Sequence, residues 1–266
     1  MNIKELRNFA ENEINYIDAK VSLLVYDFSN NKTILSVNPE QKVVSASTIK
    51  VPIMLTALQK VRYGSLKTDQ RINVAGIEIL EDTEVFERGE HGYSLDELLK
   101  WMIINSDNTA TNVLIDLLSM EAVNSYCAEL SLKSTHLERK MLDFDAIKEG
   151  RNNYTSAADL FTLFSNLYHK TLLPPDLCRY AYKVLNMQRD YSSALRYIAD
   201  ENMTAAHKTG GLDNLSHDVG IFSIPNHDYY FGCFVWDAVD HTEENPIAKR
   251  LIGRLSRAVY DYFSED

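Results

Sequence analysis

Strand-like segments lie near both ends of this chain, and a long stretch of mostly helical pattern separates them. Residues 21–26 and 33–37 flank a polar turn and are rich in strand-forming residues, which predicts a hairpin. Residues 218–224 and 229–236 predict a second hairpin in the same way. From about residue 48 to residue 191 the pattern is mainly helical. Strands from the two ends are therefore expected to join one antiparallel sheet.

Apolar residues at helical spacing predict a helix at each end of the chain. The positions that carry this pattern are Ile3, Leu6, Ala10, Ile14 and Ile17 in the first helix and Ile247, Leu251, Leu255, Ala258, Val259 and Tyr262 in the last. Within the helical middle, Ser94 and Glu97 form a capping-box signature that opens a helix. Asp107 is expected to cap the next helix.

The fold class that this order predicts is α/β, of the α+β type. An antiparallel sheet would be flanked by the terminal helices, with an all-helical lobe beside it. The chain, residues 1–266, is predicted to form one domain, in which residues 1–45 and 200–266 make the sheet lobe and residues 46–199 the helical lobe. A functional site is expected in the cleft between the lobes.

The charge balance argues against a nucleic-acid partner. The chain has 27 Lys and Arg against 38 Asp and Glu, a net charge of −11, and no cluster of basic residues to offset repulsion from phosphates. No apolar run is long enough to span a membrane, so no membrane partner is predicted. The first residues carry no apolar signal segment, so the chain as it stands is expected to be cytoplasmic. If an export signal has been trimmed, the protein would instead be exported.

The cysteines give no sign of a metal site. Cys127, Cys178 and Cys233 are scattered, and none lies in a Cys-x-x-Cys pair, so neither a zinc site nor a disulfide framework is indicated. We therefore predict no metal and no cofactor. The oligomeric state stays open.

Ser47 and Lys50 stand three residues apart at the predicted start of a helix. The apolar run that follows contains Pro52, which is tolerated only near a helix start. Residues three apart share a helix face, so the Lys50 amine can reach the Ser47 hydroxyl as the base that a serine nucleophile needs. The N–H groups of a helix start also suit a developing oxyanion. Taken alone, however, the pair is better explained by a helix cap followed by a surface lysine.

Two further triplets follow in order, Ser106-Asp107-Asn108 and Lys208-Thr209-Gly210. Separately, the first is typical of a helix cap and the second of a glycine-rich turn. Ser-x-x-Lys, Ser-Asp-Asn and Lys-Thr-Gly together are the motifs of class A β-lactamases and penicillin-binding proteins. The chain resembles this penicillin-recognising serine hydrolase family over nearly its whole length. The resemblance implies a β-lactamase/transpeptidase-like fold and a small-molecule substrate, either a β-lactam or a cell-wall peptide.

The resemblance also implies a role for each catalytic residue. Ser47 would attack the substrate carbonyl with Lys50 as base, and Ser106 would relay a proton to the leaving nitrogen. Lys50 must be neutral to accept a proton, and we expect partial burial and the charge of Lys208 to lower its pKa. Asn108 would orient the acylamino chain of the substrate.

The third motif is implied to bind the substrate. Lys208 and Thr209 would receive its carboxylate, by charge and by hydroxyl. Gly210 and Gly211 would let an edge strand approach the substrate closely. The N–H of Gly211, with that of Ser47, would form the oxyanion hole.

The chain departs from the family at the residue that would release the acyl group. Class A enzymes carry a glutamate on the loop after the second motif, where it positions the hydrolytic water. Here Met141 occupies that place, and a thioether cannot accept the proton of a water. Asp143 is a candidate substitute if the loop differs. Slow release of the acyl group is therefore expected.

A second departure lies on the strand after the third motif. Where many members of the family carry an arginine that helps bind the carboxylate, this chain has His217. His217 would either donate to the substrate, with a pH-dependent charge, or form a hydrogen bond to Asp218. His207 is expected to point to the opposite face of its strand from Lys208 and to be structural.

Three functions remain open. The first is an amidase that forms an acyl-enzyme on β-lactams or D-alanyl peptides and releases it slowly. The second is a sensor of β-lactams or peptidoglycan fragments with little turnover. A glutaminase on the same scaffold is a third, which the Ser-Asp-Asn and Lys-Thr-Gly motifs disfavour.

Overall fold

The computed structural model describes residues 1–80, 83, 86, 91–239 and 246–264. Its helices are α1 (Ile3–Tyr16), α2 (Lys50–Arg62), α3 (Leu95–Ile104), α4 (Asn108–Leu118), α5 (Met120–Glu129), α6 (Phe144–Lys148), α7 (Ala157–Tyr168), α8 (Pro175–Leu185) and α9 (Ile247–Ser264). Its strands are β1 (Lys20–Asp27), β2 (Lys32–Val37), β3 (Val43–Val44), β4 (Arg71–Asn73), β5 (Gly92–Ser94), β6 (Tyr154–Thr155), β7 (Thr204–Leu212), β8 (Leu215–Ile224) and β9 (His227–Trp236). In this part of the chain, no helix is both long enough and apolar enough to cross a membrane.

Strands from both ends of the chain form one five-stranded antiparallel sheet, in the order β2-β1-β9-β8-β7. Strand β1 pairs with β9 along its whole length, from Lys20 opposite Trp236 to Asp27 opposite Tyr229. The predicted sheet, built from the two hairpins, is confirmed. Strand β7 lies at one edge, so its outer side has no neighbour within the sheet.

The terminal helices pack together on one face of this sheet, as predicted. Helix α1 contacts α9, and α9 contacts β8 and β9. Asn2 and Glu5 form a capping box that starts α1, because each side chain bonds the backbone N–H of the other. Leu6 of α1, Leu251 of α9 and Phe231 of β9 are fully buried in the core between them. Burial of each such side chain stabilises the fold by about 1.5–3 kcal/mol.

The helices of the middle segment cover the opposite face of the sheet. Helix α7 contacts β1, β8 and β9, and the Tyr230 hydroxyl of β9 donates to the Ala157 carbonyl of α7 at 3.0 Å. Helix α2 runs through this second core, with residues 51–58 all buried. The sheet therefore separates two cores, and the start of α2 is held firmly near the sheet edge.

The middle segment also contains short strands, which corrects the prediction of an all-helical lobe. Val43 of β3 pairs with Thr155 of β6, and Ile72 of β4 pairs with Tyr93 of β5. Strands of two or three residues are too short to show an alternating pattern, which is why the sequence did not predict them. The pairing of β3 with β6 fixes the chain immediately before Ser47.

Candidate active site

Ser47 lies on a 3₁₀ turn, Ala46–Ile49, between β3 and α2. Ala46 adopts the left-handed region, with φ 44°, a conformation that persists only where its surroundings hold it. The Thr48 hydroxyl donates to the Ser45 carbonyl at 2.7 Å, inside the same turn. Ser47 is half-buried, whereas the residues on either side of it are buried. The turn therefore presents Ser47 from a rigid support.

Strand β7 packs directly against this turn at Gly210. A Cβ atom at Gly210 would lie 3.1 Å from the Ser45 carbonyl oxygen, 3.1 Å from the Ser47 nitrogen and 3.2 Å from the Ala46 Cβ. These distances are tighter than most Cβ contacts, so the close approach of the strand favours glycine here. A Cβ at Gly211 would meet nothing within 4 Å. The two glycines thus differ: packing favours glycine at the first, and the second faces open space.

Lys50, the first residue of α2, reaches the second motif. Its Nζ atom donates to the Ser106 carbonyl and lies 3.1 Å from Ser106 Oγ and 2.8 Å from Asn108 Oδ1. The lysine is fully buried. These contacts join residues 56 and 58 positions apart in the chain, so the helical lobe and the nucleophile turn form one site.

The second motif is shaped by a helix cap, as predicted. Asp107 caps α4, accepting a hydrogen bond from the Ala110 N–H at 2.7 Å, and Thr83 donates to its other oxygen. Ser106, immediately before the cap, has a left-handed φ of 56°. The cap and the sharp turn together place Ser106 and Asn108 on either side of the Lys50 amine.

Lys208 approaches the same serine from strand β7. Its Nζ atom lies 3.2 Å from Ser106 Oγ and 2.9 Å from the Thr209 carbonyl oxygen. The side chain is fully buried, and burial lowers the pKa of Lys208 to about 8, against the opposing charges of Asp190 and Asp218. Lys208 is therefore still mostly protonated at pH 7.

The Ser106 hydroxyl lies within hydrogen-bond distance of both lysine amines. It has a single proton, so the charge of each lysine decides which group donates and which accepts. Charged Lys208 can only donate, so Ser106 Oγ accepts from it. Lys50 Nζ lies 3.1 Å from the same oxygen, and only a neutral Lys50 amine could accept the Ser106 proton. The geometry can thus pass a proton through Ser106.

A cavity of about 360 Å³ opens beside Ser106 and Thr209. Arg189 and Asp190 also line this cavity. Burial raises the pKa of Asp190, but hydrogen bonds from Ser192, the charge of Lys249 and a hydrogen bond from Thr209 lower it overall. Asp190 is therefore ionised next to the Lys208–Thr209 segment.

The two histidines on the strands, His207 and His217, have different hydrogen-bond partners. His207 is buried and its Nδ1 lies 2.7 Å from the Asp218 carboxylate, so it is structural, as expected. His217 is also fully buried, and its Nε2 lies 2.8 Å from the Val44 carbonyl oxygen. A carbonyl only accepts, so Nε2 carries the proton. Two expectations for His217 are thereby corrected: Asp218 pairs with His207, and a ring buried beneath the nucleophile turn has no open path to a substrate carboxylate.

Met141 and Asp143 lie on the loop after the second motif, where the family has its glutamate, and both have defined contacts. Met141 is 7% exposed and belongs to the apolar core, while Asn112 brackets its backbone, accepting from the Met141 N–H at 2.7 Å and donating to its carbonyl at 3.2 Å. Asp143 caps α6, accepting from the Ala146 N–H at 2.9 Å. One oxygen of the candidate substitute carboxylate is therefore engaged as a helix cap.

Sequence reasoning assigned no role to Asn112 or Asp190 and did not find the actual partner of Asp218. Asn112 stands four residues after Asn108 on one helix face, which is a usable signal. Asp190 lies in an irregular segment after α8, where no periodicity points to it. Asp218 was noted only as a partner for His217, and its actual partner becomes visible once the register of β7 and β8 is known.

Comparison with protein families gives one match over nearly the whole chain. The matching family is described as the beta-lactamase enzyme family, and its model covers residues 4–263. The chain is 23% identical to the beta-lactamase VEB-1 of Pseudomonas aeruginosa, over 95% of this chain and 88% of that protein.

Solved structures show the same fold. A beta-lactamase from Sphaerobacter thermophilus superposes with a TM-score of 0.87 at 23% identity, covering 100% of this chain and 99% of that one. A mutant of PBP-A, solved as an acyl-enzyme complex with penicillin G, superposes with a TM-score of 0.87 at 24% identity, covering 99% and 97% of the two chains.

Proposed function

The chain belongs to the beta-lactamase enzyme family, and from this premise we propose that Ser47 forms an acyl-enzyme with β-lactams or D-alanyl-type amides. The family membership predicted from the three motifs is confirmed, and with it the general class, a β-lactamase-like hydrolase. The proposal concerns the finer points: the residue that is acylated, the substrates and the rate of release.

One observation carries the proposal. The three motifs, which are far apart in the sequence, converge on one hydroxyl, since Nζ of Lys50 and Nζ of Lys208 lie 3.1 and 3.2 Å from Ser106 Oγ. Helix caps and surface lysines, which explain each motif separately, do not require two buried lysines to face one serine. A proton route beside a serine nucleophile accounts for this arrangement, because the nucleophile needs an adjacent base.

Acylation would begin with attack of Ser47 Oγ on the amide carbon, while its proton passes to neutral Lys50. The oxygen that becomes negative would be held by the N–H groups of Ser47 and Gly211. The close packing of β7 on the nucleophile turn at Gly210 supports this, because it brings these two segments together.

Expulsion of the leaving nitrogen would complete the acyl-enzyme. The proton taken from Ser47 would move from Lys50 to Ser106, and Ser106 would give its own proton to the nitrogen as the C–N bond breaks. Lys208, charged and hydrogen-bonded to Ser106, favours the transfer by stabilising negative charge on that oxygen. Asn108 would orient the acylamino chain, and Lys208 the carboxylate.

Release of the acyl group would be slow. Met141 lies in the apolar core and cannot accept a proton, and the cap at α6 holds Asp143 through one of its oxygens, which restrains it from moving to a hydrolytic water. This feature also favours the second candidate, a sensor that keeps a long-lived adduct, because the two functions differ only in the lifetime of the ester.

Mass spectrometry of the intact protein after incubation with penicillin G tests the proposal. The wild type should gain the mass of one penicillin, and the adduct should map to the peptide containing Ser47. Ser47→Ala should gain nothing, whereas Ser65→Ala, at an exposed serine, should label as the wild type does. Equal labelling of Ser47→Ala would refute the assignment, and the decay of the adduct separates a hydrolase from a sensor.

A further inference from the structure

We propose that Arg189 is a specificity-determining residue that binds the carboxylate of the substrate, a task for which this chain lacks a cation on β8. The inference rests on the proposed function of Ser47 and adds the residue that selects anionic substrates. It is drawn from the cavity beside the site, the surroundings of His217 and the partners of the charged groups that line the cavity.

The first observation is the position of Arg189. It is exposed and lines the same cavity of about 360 Å³ as Ser106 and Thr209, the residues that flank the proposed carboxylate position. Arg189 therefore lies on the wall of the cavity in which the part of the substrate beyond the reacting amide would lie.

The second observation is a deficit of available cations at that position. His217 is buried beneath the nucleophile turn, with Nε2–H committed to the Val44 carbonyl. Lys208 is buried and already bonds Ser106 Oγ and the Thr209 carbonyl. A lysine with two protein acceptors has one N–H left for a ligand, which cannot match both oxygens of a carboxylate.

The third observation concerns the neighbouring carboxylate, Asp190, which could neutralise the arginine. Asp190 Oδ1 accepts from the Ser192 N–H at 2.9 Å and from the Ser192 hydroxyl at 2.6 Å, and Thr209 also donates to the carboxylate. The ion pairs and hydrogen bonds of the described part of the chain include none made by the Arg189 guanidinium. Its planar fork is therefore open to a ligand.

The backbone beneath Arg189 is held in place. Gln188 Oε1 accepts from the N–H groups of Arg189 and Asp190, at 2.8 and 3.1 Å, and Gln188 Nε2 donates to the Ile103 carbonyl at 2.9 Å. Gln188 itself is buried. The side chain thus extends from a fixed point, which reduces the entropy lost when it binds.

The ligand chemistry follows from these groups. A guanidinium binds a carboxylate through two parallel N–H···O bonds, which a lysine cannot reproduce. The substrate class is therefore amides with a carboxylate on the leaving-group side of the reacting bond. An ester or a neutral amide at that position would gain little from Arg189.

Acylation of two matched substrates tests this assignment. Penicillin G and its methyl ester differ only in the carboxylate, and the acylation rate constant of each is measured for the wild type, Arg189→Gln, Arg189→Lys and Arg179→Gln. Arg189→Gln should slow acylation by penicillin G about tenfold or more and leave the ester unchanged. Arg189→Lys should recover only part of the loss, and Arg179→Gln, an exposed arginine on α8, should have no effect. Equal losses with both substrates, or no loss with either, would overturn the assignment.

Equilibrium binding keeps the inference separate from the acylation proposal. In the Ser47→Ala protein, which cannot be acylated, the affinity for penicillin G is compared with that for its methyl ester by calorimetry. A preference for penicillin G that Arg189→Gln removes supports the role of Arg189 even if the wild type is never acylated. The absence of any preference, or a preference that survives Arg189→Gln, would show that Arg189 does not bind the carboxylate.

Discussion

His217 on β8 donates its Nε2–H to the carbonyl oxygen of Val44, 2.8 Å away, and so ties the sheet to the chain that leads into the nucleophile turn. The ring is fully buried, and burial lowers the pKa of His217 to about 4. The imidazole is therefore neutral at pH 7, and its hydrogen bond to Val44 is an ordinary uncharged one.

The buried histidine predicts a loss of stability in mild acid. The unfolded chain protonates His217 near pH 6.5, whereas the folded chain does so only near pH 4, so the unfolded state binds more protons between these values. The stability contributed by neutral His217 is present above pH 6.5 and is lost as the pH falls toward 4, by roughly 3 kcal/mol in all. Urea unfolding across this range should show a shallower pH dependence for His217→Gln than for the wild type.

His169→Gln, at an exposed histidine, is the control for this measurement and should follow the wild-type curve. Parallel curves for the wild type and His217→Gln would show that the ring titrates normally.

Gly210→Ala should disturb the nucleophile turn. The added Cβ would meet the Ser45 carbonyl and the Ser47 nitrogen at 3.1 Å, so the strand or the turn must move by a few tenths of an ångström. Misplacement of a reacting group by about 1 Å can lower a rate about 10²-fold, so we expect acylation by penicillin G to slow by about 10- to 100-fold. Gly211→Ala places its Cβ in open space and keeps its N–H, so its loss should be much smaller. Similar rates for the two variants would contradict this packing argument.

Lys50 and Lys208 should affect different steps. Loss of the base in Lys50→Ala should slow acylation by about 10²- to 10⁴-fold with penicillin G and with its methyl ester alike. Lys208→Ala should weaken capture of penicillin G more than that of the ester, because it removes a charge from the carboxylate position. Lys183→Ala, at an exposed lysine on α8, serves as the control. A Lys50→Ala protein that is acylated at the wild-type rate would exclude Lys50 as the base.

The pKa of Lys208, about 8, predicts that the rate of acylation by penicillin G falls at alkaline pH. As the pH rises through 8 the lysine loses its charge, so the rate of acylation by penicillin G should decrease. Acylation by the methyl ester should decrease less, because the ester loses only the effect of the Lys208 charge on Ser106. Lys208→Arg stays charged and should not show this decrease, even if its rate at pH 7 is lower. The rate is measured from pH 6.5 to 9.5 with both substrates. An equal decrease for the two substrates would show that the Lys208 charge does not act on the carboxylate, and a decrease that persists in Lys208→Arg would assign the titration to another group.

Met141 predicts burst kinetics. The wild type should release one equivalent of product quickly and then turn over slowly, because no base activates water for the second half of the reaction. Met141→Glu should speed the slow phase and leave the burst rate unchanged. Met141→Gln introduces a side chain of the same shape as glutamate that cannot act as a base, so it should not speed the slow phase. Rapid multiple turnover of the wild type without a burst would show that another residue has taken the missing role.

The sequence predicted the elements whose pattern is local. The structure contains the predicted helices α1 and α9, the capping box at Ser94 and the two hairpins. These elements could be predicted because helix and strand periodicity depends on residues that are close together in the sequence. The two-stranded pairs β3–β6 and β4–β5 were not predicted, since two or three residues carry too little pattern.

The site divides in the same way. By itself, the sequence determined the chemical groups and their order, Ser47 with Lys50, then Ser106 with Asn108, then Lys208, and through them the family. Only the tertiary structure decided that both lysines face Ser106 Oγ, that His217 lies beneath the nucleophile turn, and that Arg189 shares a cavity with Thr209. Spacing along the chain fixes which residues share a helix face or strand side, but burial and long-range contacts depend on how distant segments pack, and this packing sets the charge and the exposure of each group.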